Sequence, residues 1–202
     1  NKFLYVNKIN KNYYLFKNSD TKIKISLNLN GEHNYYNAAC AAAIAICLGF
    51  KLDYIKDKLE SFKSVSSRLK LYKLMNDIHI IDDCYNANPN SFKVAIEFLS
   101  SLDKKKLVLM GDMVELGKDS ELFHTDVGKY AKTLGIDKFL SIGSDSKFAS
   151  RAFGLNGHHF EDSESLKSYL NNYLSPSSRI LIKGSRSAKL EEYVDFIKER
   201  KL

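Results

Sequence analysis

No run in this sequence approaches the roughly 18 consecutive apolar residues of a membrane-spanning helix. The nearest is the alanine-rich stretch 38–50, short enough to be a buried helix. No secretory signal is visible among the first residues. Cysteine is scarce: Cys40, Cys47 and Cys84 have neither metal-ligand spacing nor the pattern of a disulfide framework. Cys40 and Cys47 lie in the helical run and are expected to be reduced core residues, which points to the cytoplasm. The chain also lacks the G-x-x-x-x-G-K-[ST] phosphate loop, zinc-finger spacing and any aromatic–basic repeat. Its formal charge is +7, from 31 Lys plus Arg against 24 Asp plus Glu. The lysines are scattered apart from Lys104-Lys105-Lys106, so a solvated basic surface is expected, with no nucleic-acid partner. Small anionic substrates would gain from the same charge.

What is present is enough apolar material for a real core: 44% of 202 residues. The chain is expected to divide near 75–78. Before that, runs at 2–6, 13–17 and 22–29, rich in β-branched and aromatic residues, predict an antiparallel ribbon. Helices are expected at 33–48 and about 53–61, then a strand at 69–74 leading into an Asn76-Asp77 turn. So much ribbon with only two helices resembles the tail of a domain begun upstream. The chain also opens on Asn1 rather than methionine, so a fragment is expected. The second part alternates: strands at 78–82, 106–110, 138–142 and 179–183, a short one near 159–160, and helices between and after them. Such alternation implies βαβ units, an α/β fold with a mostly parallel, Rossmann-like sheet. Right-handed crossovers then bring the strand-end loops to one rim.

The polar and glycine-bearing signatures fall in those loops. Asp82-Asp83-Cys84-Tyr85-Asn86-Ala87-Asn88-Pro89 follows a strand and opens a helix, where open α/β sheets bind ligands. An Asn cap before proline explains the same residues more plainly. Asp83 suits a ribose diol, and Asp82 the loop itself or a metal's outer shell. Gly111-Asp112-Met113-Val114-Glu115-Leu116-Gly117 brackets Asp112 and Glu115 with glycines, and His124 follows in the next helix. Those acids suit a substrate ammonium or a hinge anchor; a capped polar loop is the alternative. Lys183-Gly184-Ser185-Arg186 ends the last strand as a possible anion clamp.

In the first part, His33, Asn34 and Asn37 open the alanine-rich helix. Two amides three residues apart supply the donor–acceptor pattern of an adenine edge, and free helix-start N–H groups suit phosphate. Helix capping with a structural histidine is the alternative. Arg68, between a serine stretch and a strand, suits a phosphate or ribose, or is a surface arginine. No nucleophilic triad spacing is evident.

Taken together, the segments 31–39, 68–69, 81–89, 111–117 with His124, and 183–186 with Leu190-Glu191 resemble the C-terminal portion of a Mur ligase, in family order. The Asp-Asp-x-Tyr-Asn-Ala-Asn-Pro and Gly-Asp-Met-x-Glu-Leu-Gly pair is most similar to the branch joining D-alanyl-D-alanine to UDP-N-acetylmuramoyl-tripeptide. The resemblance implies an ATP- and Mg²⁺-dependent peptide ligase acting through an acyl phosphate. Residues 1–76 would end its ATP-binding central domain, and 77–202 would be its last, Rossmann-like domain. It implies that Asn34, Asn37, Arg68 and Asp83 face the nucleotide, with His33 and Asn86 beside them as further candidates. Lys183, Ser185 and Arg186 would face the incoming dipeptide, and Asp112 and Glu115 are taken as substrate-binding with them. Ser67 stands where a glycine commonly precedes the arginine, and Cys84 where serine is frequent. The phosphate loop and the family's modified lysine are absent, so the isolated chain is expected to be inactive. A folylpolyglutamate-synthase-like ligase and a non-catalytic homologue with a scaffolding role are the alternatives.

Overall fold

The computed structural model describes residues 4–10, 12–17, 21–29, 31–62 and 69–199, in two compact units, Asn1–Ser64 and Val65–Leu202. Among the described residues no helix is long and apolar enough to cross a membrane.

In the first unit, β1 (Leu4–Ile9), β2 (Asn12–Lys17) and β3 (Thr21–Ile25) form an antiparallel meander. Helices α1 (His33–Cys47) and α2 (Leu52–Ser61) follow it. Alternation along the strands sends Leu15 and Ile25 into a core with Ala39, Ala42 and Ile55. The Tyr13 ring stacks on Tyr35, their centroids 3.6 Å apart. Small residues on the inward face of α1, Ala38, Ala39 and Ala42, let the helix lie close. Its other face is apolar too: Tyr36, Ile44 and Leu48 are exposed. Cys40 and Cys47 sit on that exposed side, not in the core as their setting had suggested. The helix is apolar nearly all round, but this unit's sheet covers one side of it.

The second unit runs β4 (Lys70–Lys73), β5 (His79–Asp83), α3 (Pro89–Ser100), β6 (Lys105–Met110) and α4 (Ser120–Thr133). It continues with β7 (Lys138–Ile142), α5 (Lys147–Phe153), β8 (Gly157–Phe160), α6 (Ser163–Tyr173), β9 (Ser178–Lys183) and α7 (Glu191–Glu199). The six strands lie in the order β4-β5-β9-β6-β7-β8, all parallel except β4, which is antiparallel to β5. Successive residues divide between the faces. Ile81, Val108, Met110, Phe139 and Leu181 pack under α3, α4 and α5. Ile80, Leu107, Leu109, Leu140, Ile180 and Ile182 pack under α6 and α7. Strands buried on both sides read as continuous apolar runs, which is why they stood out in the sequence.

The division expected near residue 76 lies elsewhere. Asn76 and Asp77 make a left-handed turn, with φ of 55° and 57°, that folds β4 back onto β5 in register Lys70↔Asp82 to Lys73↔His79. One sheet therefore runs across this point, and the compact units separate at 64/65. The turn is a hairpin, not a junction between domains.

Candidate functional site

Two neighbouring strands of the parallel sheet send the chain to opposite faces. β5 leads to α3 on one face and β9 to α7 on the other. Such a divergence opens a crevice beyond the strand carboxyl ends, where α/β sheets take ligands. Asp83 ends β5 and Lys183 ends β9, paired in register. The Lys183 ammonium donates to Asp83 Oδ2 at 2.6 Å and to the carbonyl of Asn86 at 2.8 Å, with its cation 5.8 Å from the Phe92 ring centre. Asp83 Oδ1 accepts the Leu69 amide at 3.0 Å. Both charged side chains are buried. The sequence had assigned Asp83 to a ribose and Lys183 to the dipeptide; the fold joins them to each other. Asp82 Oδ1 accepts the Cys84 amide at 3.3 Å, and the Cys84 thiol donates to the Ile182 carbonyl. Burial pushes that thiol far above its ordinary range, so it is no nucleophile. Asn86 is exposed, its Oδ1 accepting the Ala87 amide at 2.8 Å, and Asn88 caps α3 in a reciprocal box with Ser91.

The loop after β6 is tied down at every turn. The Gly111 amide donates to the Lys183 carbonyl at 3.0 Å. A Cβ at Gly111 would meet Ala188 at 2.8 Å, so this glycine serves close approach to the strand-end turn of β9. The Asp112 carboxylate accepts four backbone or hydroxyl donors: Ser144 N at 2.8 Å, Ser144 Oγ at 3.0 Å, Asp145 N at 3.0 Å and Ser146 N at 2.7 Å. Burial opposes its ionisation, but the Ser146 and Asp145 amides outweigh burial and hold its carboxyl below the usual range. The Asp112 carbonyl accepts the Ser185 amide at 2.9 Å, and Ser185 Oγ accepts the Val114 amide at 2.9 Å. The Met113 amide donates to His124 Nε2 at 3.0 Å, while His124 Nδ1 lies 2.8 Å from the Ser120 carbonyl. That pattern requires the neutral Nδ1–H tautomer, in a side chain wholly buried. Asp112 thus joins the loop after β6 to the loop after β7. Glu115 is exposed and held at φ 64°, with exposed Val114 beside it.

Arg186 is also exposed and pairs with Glu191 Oε1 at 3.0 Å. The three side chains expected to form one clamp thus diverge: Lys183 points to Asp83, Ser185 to the Val114 amide, Arg186 outward to Glu191. What the fold brings together is different. Through the Ser185–Val114 bond, Arg186 and Glu115 each stand one residue from a shared hydrogen bond. In the first unit, Asn37 Nδ2 donates to Asn34 Oδ1 at 3.3 Å, so these amides do share a side, with His33 as the first residue of α1. The Asn34 and Tyr35 amides donate to the carbonyls of Gly31 and Glu32, so they are not the free helix-start donors expected for phosphate. Arg68 lies outside the described residues.

Sequence reasoning gave no role to the 144–146 loop or to Glu191, although Leu190-Glu191 belongs to the resemblance and Gly143-Ser144 to the strand-end loops. The polar Gly-Ser-Asp-Ser run after β7 was the available signal for the former; an acid five residues beyond Arg186 was the signal for the latter. It also missed an arrangement of Ser141, His159 and Glu161. Ser141 Oγ lies 3.0 Å from His159 Nδ1, and His159 Nε2 lies 3.6 Å from Glu161. Ser141 is fully buried and donates to Ser150 at 2.9 Å, so it cannot reach a substrate. Burial holds the His159 imidazole below its ordinary pKa, as befits a structural histidine.

A parallel sheet with this crevice and these loops defines a class. Residues 67–186 match the family model described as Mur ligase, glutamate ligase domain, and the chain belongs to the Mur ligase family. It is 40% identical over 179 residues to the UDP-N-acetylmuramoyl-tripeptide–D-alanyl-D-alanine ligase of Escherichia coli K12, over 88% of this chain and 39% of that protein. A crystal structure of MurF from Acinetobacter baumannii superposes with a TM-score of 0.84 at 28% identity, over 94% of this chain and 42% of that one. A folylpolyglutamate synthase from Thermotoga maritima shares the fold, with a TM-score of 0.61 at 15% identity, over 94% of this chain and 45% of that one. The chain spans about two fifths of the length of the E. coli relative.

Proposed function

We propose that this chain is the carboxyl-terminal part of a cytoplasmic, ATP-dependent ligase that joins D-alanyl-D-alanine to UDP-N-acetylmuramoyl-tripeptide in peptidoglycan precursor synthesis. Substantial identity to a ligase of that name supports it over the folylpolyglutamate alternative, whose likeness is one of fold. In this reaction the peptide carboxylate attacks the γ-phosphate of ATP, forming an acyl phosphate and ADP. The dipeptide amine then attacks the acyl carbon, phosphate departs, and the nitrogen loses a proton as the amide forms. The first unit is read as the end of the ATP-binding domain, with His33, Asn34 and Asn37 toward the nucleotide; Arg68, ahead of β4, is read the same way. Asp83 retains lone pairs beyond its bonds to Lys183 and Leu69, enough for a ribose hydroxyl, and Asn86 retains its amide NH₂. Among the described residues no group of three or more His, Cys, Asp and Glu is placed to hold a metal ion.

One observation carries the dipeptide side. The 2.9 Å bond between the Val114 amide and Ser185 Oγ draws together two strand-end loops, one ending in an exposed carboxylate, Glu115, the other in an exposed guanidinium, Arg186. A cation and an anion on one rim complement a zwitterion, whose ammonium and carboxylate need opposite partners. Arg186 exchanges Glu191 for the substrate carboxylate. In an enzyme completed with the upstream portion its relatives carry, Arg186→Ala should raise KM for the dipeptide. A lost charged hydrogen bond of about 2–3 kcal/mol corresponds to roughly 30- to 150-fold, with the ATP parameters unchanged. Steady-state kinetics varying each substrate separately decides. A change confined to ATP would sink the assignment.

A further inference from the structure

We infer that His124 is a positioning residue: as a neutral imidazole it holds the 111–117 loop, and thereby Glu115, in the geometry that receives the incoming amine. This rests on the ligation proposed above. Among the described bonds the loop's backbone is tethered inside its ends by the Ser185 amide on the Asp112 carbonyl at 2.9 Å and by two adjacent amides, Met113 N–H to His124 Nε2 at 3.0 Å and Val114 N–H to Ser185 Oγ at 2.9 Å. Glu115 follows at once, at a left-handed φ of 64° that a residue with a Cβ keeps only when its surroundings impose it. Asp112 cannot take the substrate-facing role, since its carboxylate is already occupied by loop 144–146. That leaves Glu115 as the exposed acid of the Gly111–Gly117 segment, and its backbone depends on these tethers.

Only one tether is chemically switchable. Ser185 Oγ accepts at any pH, whereas Nε2 accepts only while unprotonated. The opposite ring nitrogen is committed to the Ser120 carbonyl at 2.8 Å, so the ring cannot offer its other edge to Met113. Ser120 Oγ in turn donates to Asp145 Oδ2 at 2.6 Å, which joins His124 to the loop Asp112 grips. Elsewhere on α4, Tyr130 donates to Glu97 of α3 and lies under the Lys93 ammonium. Removing the Nε2 acceptor would leave the Met113 amide without its bond and the loop held by Ser185 and the Asp112 carboxylate alone.

Two variants test this. His124→Phe fills the ring volume without an acceptor; His124→Gln keeps an amide oxygen near the place of Nε2. In the 202-residue chain, hydrogen exchange of the Met113 amide should quicken about tenfold in H124F and recover in H124Q, with the Leu109 and Leu181 amides unchanged. In the completed ligase, H124F should raise KM for the dipeptide about tenfold and leave KM for ATP alone, with H124Q near wild type. A Met113 amide still protected in H124F overturns the inference, as does an equal loss in both substrates' parameters. A wild-type enzyme that forms no amide bond would instead overturn the proposed ligation, in a measurement that involves no His124 variant.

Discussion

Lys183 is buried to 2% exposure, with its ammonium divided between Asp83 and the Asn86 carbonyl. A buried ion pair contributes little over an apolar pair, but removing one partner strands the other charge. Lys183→Met should therefore cost about 3–5 kcal/mol in urea denaturation. Adding Asp83→Asn should recover most of that, because asparagine is uncharged and still accepts the Leu69 amide. A single variant within about 0.5 kcal/mol of wild type would mean that the carboxylate is not held as described. Residue identity was legible here, and Asp83, Lys183 and Arg186 all sit at strand carboxyl ends or one turn beyond. Partnership was not legible. A lysine next to Gly-Ser-Arg looks like part of an anion clamp, yet it lies on a strand where alternation sends Lys183 inward and leaves Arg186, past the strand, in solvent.

At the scale of elements, Asp112 binds the loop after β6 to the loop after β7 through four hydrogen bonds. Its carboxyl is held below the ordinary value, so the folded state binds fewer protons than the unfolded state just below that value. Its stabilisation is complete above the unfolded value, about pH 4, and is lost as pH falls through the depressed folded value. Stability measured from about pH 5 down to pH 2 should fall less steeply in Asp112→Asn than in wild type. Equal slopes would remove Asp112 from the acid response. The elements themselves were largely legible: the expected helices and parallel strands lie within a few residues of those observed. The exception was the role of the Asn76-Asp77 turn. A hairpin and a domain junction look alike locally, and only the partner strand, β5, tells them apart.

For the molecule as a whole, the first unit leaves Tyr36, Ile44 and Leu48 of α1 in solvent, an apolar face of the kind that marks an interface. In the isolated chain, Cys40 and Cys47 should react readily with a thiol reagent while Cys84 stays protected, following their exposure. In a protein carrying the upstream portion of its relatives, Cys40 and Cys47 should become protected. Continued reactivity there would show that the upstream portion leaves this face bare. The isolated chain should also bind Mg-ATP weakly, with a Kd above roughly 10 µM by calorimetry, because charge-assisted phosphate contacts supply much of the affinity and the phosphate loop is absent from the sequence. Tighter binding would mean that the phosphate site lies within these residues.

The sequence by itself determined the class of fold, because periods of two and of 3.6 are local properties that each segment carries alone. It also determined which loops bear the chemistry, since strand-then-helix order sends every βα loop to one rim. Only the tertiary structure decided that β9, the last strand, inserts between β5 and β6. Strand order is a property of long-range packing and leaves no local mark. That insertion sets Lys183 against Asp83 across 100 residues of sequence and Ser185 against Val114 across 71. Charges and donors that separate motifs display as candidate ligands are thus partly consumed by one another, while Glu115 and Arg186, the latter paired with Glu191, are exposed on the loops that the Ser185–Val114 bond joins.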